Sequence, residues 1–219
     1  MLYIVSTPIG NLDDITFRAI EILKSVDIIA CEDTRHTKIL LSKYEIGKKL
    51  VSYHQHSGEI KTAQMIDWLA EGKDIAIVTD AGTPGISDPG SKLIAEAIKN
   101  RIEVTSIPGP AAFVSALSLS GFDTSEFTFI GFLPHKKGRQ TKLKEIAETK
   151  RTVVLYESVH RIKKLLRELN ETIPEREICV CRELTKKFEE IYRGKAREMI
   201  DKITEKGEFV VVIERRKNV

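Results

Sequence analysis

The stretch DAGTPGISDPG at residues 80–90 carries three glycines, two prolines and two aspartates, with no lysine or arginine. Gly82, Gly85 and Gly90 open backbone conformations that a Cβ disfavours, while Pro84 and Pro89 stiffen the path between them. Such a loop offers a ligand amides and carbonyls rather than charged side chains. Two more loops share this character, STPIGNLDD at 6–14 and PGPAAF at 108–113. Neither GxxxxGK[ST] nor GxGxxG occurs, so both phosphate-cradling fingerprints are missing, and Asp80 and Asp88 would repel a phosphate. A better match is a ligand with a flat apolar base, polar groups that backbone can read, a positive charge and no phosphate. S-adenosylmethionine has that description, as do other small cationic or neutral molecules. Asp88 before Pro89 also reads as a helix N-cap followed by proline at the first helical position, which would make SDPG a helix start.

Each of these loops follows a β-branched run, which is where a parallel sheet delivers its loops. Short runs recur at LYIVS 2–6, DIIACE 27–32, LVSYH 50–54, DIAIVTD 74–80 and EVTSI 103–107, with helical stretches between them. Ile15, Ala19, Ile22 and Val26 are spaced for one helical face, with Asp13 or Asp14 as its cap. Strand–helix alternation implies a largely parallel sheet covered by helices, whose ligands bind beyond the carboxyl ends of the strands. A second series follows at TFIGFL 128–133, TVVLYE 152–157, ICVCRE 178–183 and FVVVIE 209–214. The joint is expected near LSGFDTSEF at 119–127, giving two α/β domains over 1–119 and 120–219.

The 219 residues, 42% of them apolar, suffice for two proper cores. The apolar runs are too short for a membrane span, and the N-terminus lacks a basic region followed by an apolar core, so a soluble cytoplasmic protein is expected. Cys31, Cys179 and Cys181 form no CxxC pair and sit in apolar runs, as small core residues do, and no ligand cluster calls for a metal. The overall charge of +3 divides unevenly, with residues 1–133 at −5 and residues 134–219 at +8. A basic half suits a polyanionic partner; surface ion pairs would account for it as well.

Beyond these loops the chain resembles a known family along nearly its whole length. LYIVSTPIGNLDDITFRAIEIL, CEDTRHT, VTDAGTPGISDPG, IPGPAAFVSAL, GFLPHKKGR, YESVHR and RELTKKFEE, in this order, are similar to the small-subunit ribosomal RNA 2′-O-methyltransferase I family of the tetrapyrrole methylase superfamily. The resemblance implies two α/β domains of tetrapyrrole methylase type with a cofactor cleft between them, a homodimer, and S-adenosylmethionine as donor. The implied acceptor is a cytidine ribose in the decoding region of the small ribosomal subunit. Long members continue past the equivalent of FVVVIERRKNV, so RNA docking here is expected to rest more on the basic second domain.

Carried over by position, the resemblance implies donor contacts at Pro8, at Asp80, Ala81, Gly82, Thr83 and Ile86, and at Pro110, Ala111 and Ala112. Phe132, Leu133, Tyr156 and Leu184 would add contacts from the second domain, although packing would account for Phe132 and Tyr156 equally well. Methyl transfer is an in-line displacement at a sulfonium carbon, so the protein must align the acceptor oxygen and provide for its proton. The EDTRHT loop is expected at the acceptor, with Glu32 or Asp33 taking the proton, Arg35 on RNA phosphate and His36 assisting. Glu157, His160, Glu183 and Lys186 are rival groups, and a structural Glu32–Arg35 ion pair is the plain alternative. The lysine-rich segment PHKKGRQTKLK at 134–144 is expected on RNA phosphate through Lys136, Lys137 and Arg139, joined by Arg161, Lys163, Lys164 and Arg167. Two other activities fit the same fold: methylation of a tetrapyrrole or other small acceptor, and a non-catalytic RNA-binding factor.

Overall fold

The structure is a computed structural model that describes residues 1–54, 57–88 and 90–216. It divides into two compact units, Met1–Ala111 and Ala112–Val219.

In the first unit, strands β1 (Leu2–Val5), β2 (Ile28–Cys31), β3 (Lys49–Ser52), β4 (Ile75–Ile77) and β5 (Val104–Ile107) form one sheet in the order β3-β2-β4-β1-β5, and every pairing is parallel. Helices α1 (Phe17–Ser25), α2 (Thr34–Lys43), α3 (Glu59–Ala70) and α4 (Gly90–Lys99) join them. Strand alternation sorts the core into two layers. Ile29 and Cys31 pack with Ala19, Leu23, Leu40 and Leu41 of α1 and α2. Their neighbours Ile28 and Ala30 pack with Met65, Leu69, Leu93 and Ala97 of α3 and α4. A parallel sheet buried on both faces needs such continuous apolar strands, which is why these runs are legible in the sequence. Because all five strands run the same way, all five carboxyl ends open on one rim.

The expected cap of α1 is corrected by the structure. Thr16 is the N-cap, its hydroxyl accepting the Ala19 N–H at 3.1 Å, while Asp13 and Asp14 lie in a separate 3-10 turn capped by Asn11. Pro89, expected at the first position of α4, lies outside the described residues.

The second unit holds α5 (Ala112–Ser120), β6 (Phe127–Phe132), α6 (Arg139–Glu148), β7 (Thr152–Glu157), α7 (Ile162–Thr172), β8 (Glu177–Arg182), β9 (Glu190–Lys195), α8 (Ala196–Met199) and β10 (Phe209–Ile213). Its sheet runs β6-β7-β10-β8-β9 and is mixed: only β6 and β7 pair in parallel. Since β10 is antiparallel to both β7 and β8, strands β6, β7 and β8 still point the same way and end on one edge. Leu143 and Ile146 of α6, Leu165, Leu166 and Leu169 of α7 and Met199 of α8 fill one face. Helix α5 packs on β7, β8 and β10, and so joins the second unit rather than ending the first. The sequence pattern shows only that such a helix has an apolar side, not which sheet takes it. Strand β9, absent from the sequence series, is an edge strand of half-buried residues interrupted by Gly194. Cys31, Cys179 and Cys181 are buried free thiols. Among the described residues, no helix is long and apolar enough to cross a membrane.

Candidate active site

The loops that follow β1, β4 and β5 meet on the rim of the first unit. Thr7 and Gly82 form a two-way bridge, with Thr7 N–H to Gly82 O at 2.9 Å and Gly82 N–H to Thr7 O at 3.1 Å. The Thr7 hydroxyl donates to Thr79 O at 2.9 Å. Ser6 Oγ and Thr83 Oγ1 lie 2.8 Å apart, and Thr83 Oγ1 donates to Pro110 O at 3.2 Å. A single hydroxyl pair thus ties all three loops together. Gly82 and Gly85 both have φ of +89°, a left-handed backbone that explains glycine at these two positions. At Gly109 the need is space instead, for a Cβ there would sit 2.8 Å from the Ser6 Cβ. Asp88 does not point into the rim as a free charge: its carboxylate accepts the N–H groups of Gly85, Ile86 and Gly90, closing the turn on itself. Pro8 is buried here, Ala81 and Ile86 are exposed, and Ala111 and Ala112 are half-buried.

The loop after β2 joins the same rim, because Asp80 Oδ1 accepts the Asp33 N–H at 3.2 Å. Asp33 itself caps α2. Its carboxylate accepts the Arg35 N–H at 2.8 Å and grips the Arg35 side chain through Nε at 3.1 Å and Nη2 at 2.7 Å. Those hydrogen bonds, from the Arg35 side chain and backbone, hold its carboxyl far below the usual range. A carboxylate so held is a poor proton acceptor. Arg35 is largely exposed but turned onto Asp33, so the expected ion pair exists between Asp33 and Arg35 rather than Glu32 and Arg35. His36 is exposed on the first turn of α2.

Glu32 behaves in the opposite way. Burial, followed by the negative charges of Asp80 and Asp88, pushes its carboxyl up; a hydrogen bond with Thr79 and the nearness of His54 oppose the rise without cancelling it. His54, two residues past the end of the neighbouring strand β3, is a rim residue that the motifs do not mark. Its position directly after an apolar run was the available signal. Ser6, Thr7, Thr79 and Gly109 were passed over too, since short hydroxyl residues and a glycine carry no chemistry until a fold brings them together.

On its own edge the second unit carries Phe132, Tyr156 and Leu184. Gly131, with φ of +61° at an irregularity in the β6–β7 register, sends Phe132 outward and Leu133 into the core. The Phe132 and Tyr156 rings lie 5.5 Å apart, and Tyr156 meets Phe129 edge-on at 5.1 Å. Burial raises the Tyr156 hydroxyl pKa, against a backbone hydrogen bond at Phe113. Leu184 is buried between Glu183 and Thr185, which both adopt positive φ, at 50° and 65°. The Thr185 hydroxyl is buried without a hydrogen-bond partner among the described residues.

Behind this edge lies a buried charge cluster. Arg139 contacts Glu168 at 2.7 Å and Glu157 at 3.4 Å and donates to Pro134 O at 3.3 Å. Glu157 also holds Arg161 at 2.8 Å and accepts the Ser158 N–H at 2.8 Å, while Arg161 donates to Leu133 O at 2.9 Å. Arg139 is only 2% exposed, which corrects its expected place on RNA: its charge is neutralised inside the unit. Arg161 is engaged in the same way, and Lys163 pairs with Glu205 at 2.9 Å. Lys136, Lys137, Lys164 and Arg167 remain exposed, with Lys164 3.9 Å from Glu168. The rival pair in the second unit is also committed, since Lys186 bridges Glu183 and Glu208. Burial works against the Glu183 charge, but hydrogen bonds from Lys186 and the Glu208 N–H hold its carboxyl below the usual range. His160 is exposed. Among the described residues no group of three or more His, Cys, Asp or Glu could hold a metal ion.

Two α/β units, the first with specialised loops on the carboxyl rim of a parallel sheet, make up the fold, and comparison with known proteins assigns it to the methylases. The family model for Tetrapyrrole (Corrin/Porphyrin) Methylases matches residues 1–200. The solved structure of a diphthine synthase, 14% identical, superposes with a TM-score of 0.77 over 97% of this chain and 89% of that one. A protein of Halalkalibacterium halodurans named ribosomal RNA small subunit methyltransferase I is 51% identical over 97% of this chain and 75% of its own length. One of the same name from Thermotoga maritima is 46% identical, over 97% of each. The chain therefore belongs to the tetrapyrrole methylase family and, within it, to the ribosomal RNA small subunit methyltransferase I group.

Proposed function

We propose that this chain transfers a methyl group from S-adenosylmethionine to the 2′-hydroxyl of a cytidine ribose in the decoding region of small-subunit ribosomal RNA. The observation that carries the reading is the meeting of three loops without lysine or arginine beside Glu32, whose carboxyl is raised by its surroundings. These residues fit the donor. The hydroxyls of Ser6 and Thr83 and the second lone pair of the Pro110 carbonyl can read a nucleoside and an amino-acid end, and Asp80 favours a cation. Pro8, Ala81, Ile86, Ala111 and Ala112 supply small or apolar surface. In the second unit, the orphaned Thr185 hydroxyl beside Leu184 and the exposed ring of Phe132 beside Tyr156 are the donor contacts this reading assigns.

When bound, the donor supplies an activated methyl group on a sulfonium. The chain has three remaining tasks. It must hold the acceptor in line with that carbon, where positioning accounts for most of the acceleration. It must exclude water from the rim. It must also accept the ribose proton, and we assign that step to Glu32, because a base is most effective when its pKa lies nearer the working pH than an ordinary carboxylate. Asp33 then serves as the cap that orients α2, and Arg35 and His36 face the RNA. Lys136 and Lys137, with Lys164 and Arg167, supply phosphate contacts from the second unit. The enzyme acts in the cytoplasm as a homodimer in this reading, and sedimentation checks the latter.

The test is transfer of radiolabelled methyl to purified small subunits, naked small-subunit RNA and a tetrapyrrole, side by side. Label is expected on the subunit or its RNA, in ribose, and Glu32→Gln is expected to slow single-turnover transfer by about 10²–10⁴-fold with donor binding intact. Label on the tetrapyrrole alone, or an unchanged rate in the variant, would refute the acceptor or the base respectively.

A further inference from the structure

A groove of about 610 Å³ runs between α2 and the edge strand β3 of the first unit. Thr34, Lys38 and Ser42 line one wall, spaced four residues apart and therefore stacked on one helical face, with Lys48 opposite and Leu41 and Leu50 beneath. Eight residues of helix separate Thr34 from Ser42, so this wall is about 12 Å long, room for more than one phosphate of an extended strand.

The charge here contradicts that of its surroundings. Residues 34–50 hold five Lys or Arg and one acidic residue, whereas the rest of residues 1–133 holds seven against sixteen. Three of the five are engaged: Arg35 with Asp33, Lys43 with Asp13, and Lys49 over the Trp68 ring at 4.8 Å. Lys38 and Lys48, the two that line the groove, have no acidic partner within ion-pair distance among the described residues. The polar lining is thus made of ammonium groups and hydroxyls, with no carboxylate. That set of donors suits phosphate oxygens and nothing anionic is present to compete for it.

We propose that this groove seats the phosphodiester backbone of the substrate RNA next to the modified nucleotide. Thr34 opens α2 directly after Asp33, so a strand lying in the groove leads to the loop that carries Glu32. This inference rests on the RNA reading above.

The experiment measures equilibrium binding of purified small subunits, without donor, to the unaltered protein, Lys38→Glu with Lys48→Glu, and Lys38→Arg with Lys48→Arg, between about 50 and 200 mM salt. Methyl transfer is measured in parallel. Losing two phosphate contacts should weaken binding about tenfold and reduce the slope of log affinity against log salt by about 1.4–1.8. The arginine pair should restore both, and Lys92→Glu with Lys99→Glu on α4 should change neither. Equal affinity and equal slope in the glutamate pair and the unaltered protein would overturn the proposal. So would normal binding of that pair to naked RNA with loss only on assembled subunits, which would give the groove to a ribosomal protein. Normal binding with no transfer by the unaltered protein would instead remove the reaction assigned above and leave the groove standing.

Discussion

The first unit is acidic by composition yet, among the described residues, leaves Lys38 and Lys48 without an acidic partner, while the basic second unit buries Arg139 and engages Arg161 and Lys163 in ion pairs. Counted charge and available charge are therefore different quantities. A cation already held by a buried carboxylate is less available to phosphate than a free one, and that depends on which side chains the fold brings within a few ångströms. The two rims differ in the same spirit. The first unit keeps its carboxylates close together at the ligand edge, where Glu32, Asp80 and Asp88 raise one of their number. In the second, Glu157 and Glu168 stand behind the edge, each matched to arginine.

The contrast can be broken most severely at the buried cluster. Glu157→Ala would leave Arg139 and Arg161 without their shared partner and release the Ser158 N–H, so unfolding free energy should fall by about 3–5 kcal/mol, read by chemical denaturation. Among the described residues the first unit offers no equivalent, since Asp33 and Arg35 lie at the surface, and Asp33→Asn should cost far less in the same assay.

A smaller effect sharpens the comparison of available charge. Lys136→Glu with Lys137→Glu removes exposed cations from the second unit, and subunit affinity should fall about tenfold near 0.1 M salt, as for the groove pair. If only the groove pair responds, RNA docking is confined to the acidic unit.

The smallest effect concerns pH. A carboxyl whose folded pKa is raised contributes its full stability below its unfolded pKa and loses it as pH rises through the folded value. Glu32 is such a group, because of burial and then Asp80 and Asp88. Glu32→Gln cannot ionise, so its melting temperature should rise relative to the unaltered protein as pH increases, with no gain well below about pH 4. A variant that is less active and no less stable at neutral pH would mark a group kept for chemistry at the expense of packing.

Much of the fold could be read along the chain. Runs such as IIAC and VVLY are apolar on both faces because their sheets are covered on both sides, so nine of the ten strands among the described residues stand out; β9 does not, since an edge strand with Arg193 and Gly194 carries only half the signal. The candidate loops were legible for a similar reason: glycine and proline mark backbone that must turn, whatever it binds. Less could be told about which carboxylate in EDTRHT remains free to act, because Glu32 and Asp33 are adjacent and chemically alike.

By itself the sequence determined the strand–helix alternation, the three phosphate-averse loops and the family, since backbone preference and apolar periodicity are local properties. Only the tertiary structure decided that Ser6, Thr83 and Pro110 share one hydrogen-bonded knot, that Asp33 is a cap while Glu32 is the raised carboxyl, and that Arg139 is interior. Asp33 apart, whose partner Arg35 is two residues away, proton affinity and charge availability here are set by distances of a few ångströms between residues well separated in the chain, and the packing of strands, helices and loops fixes those distances.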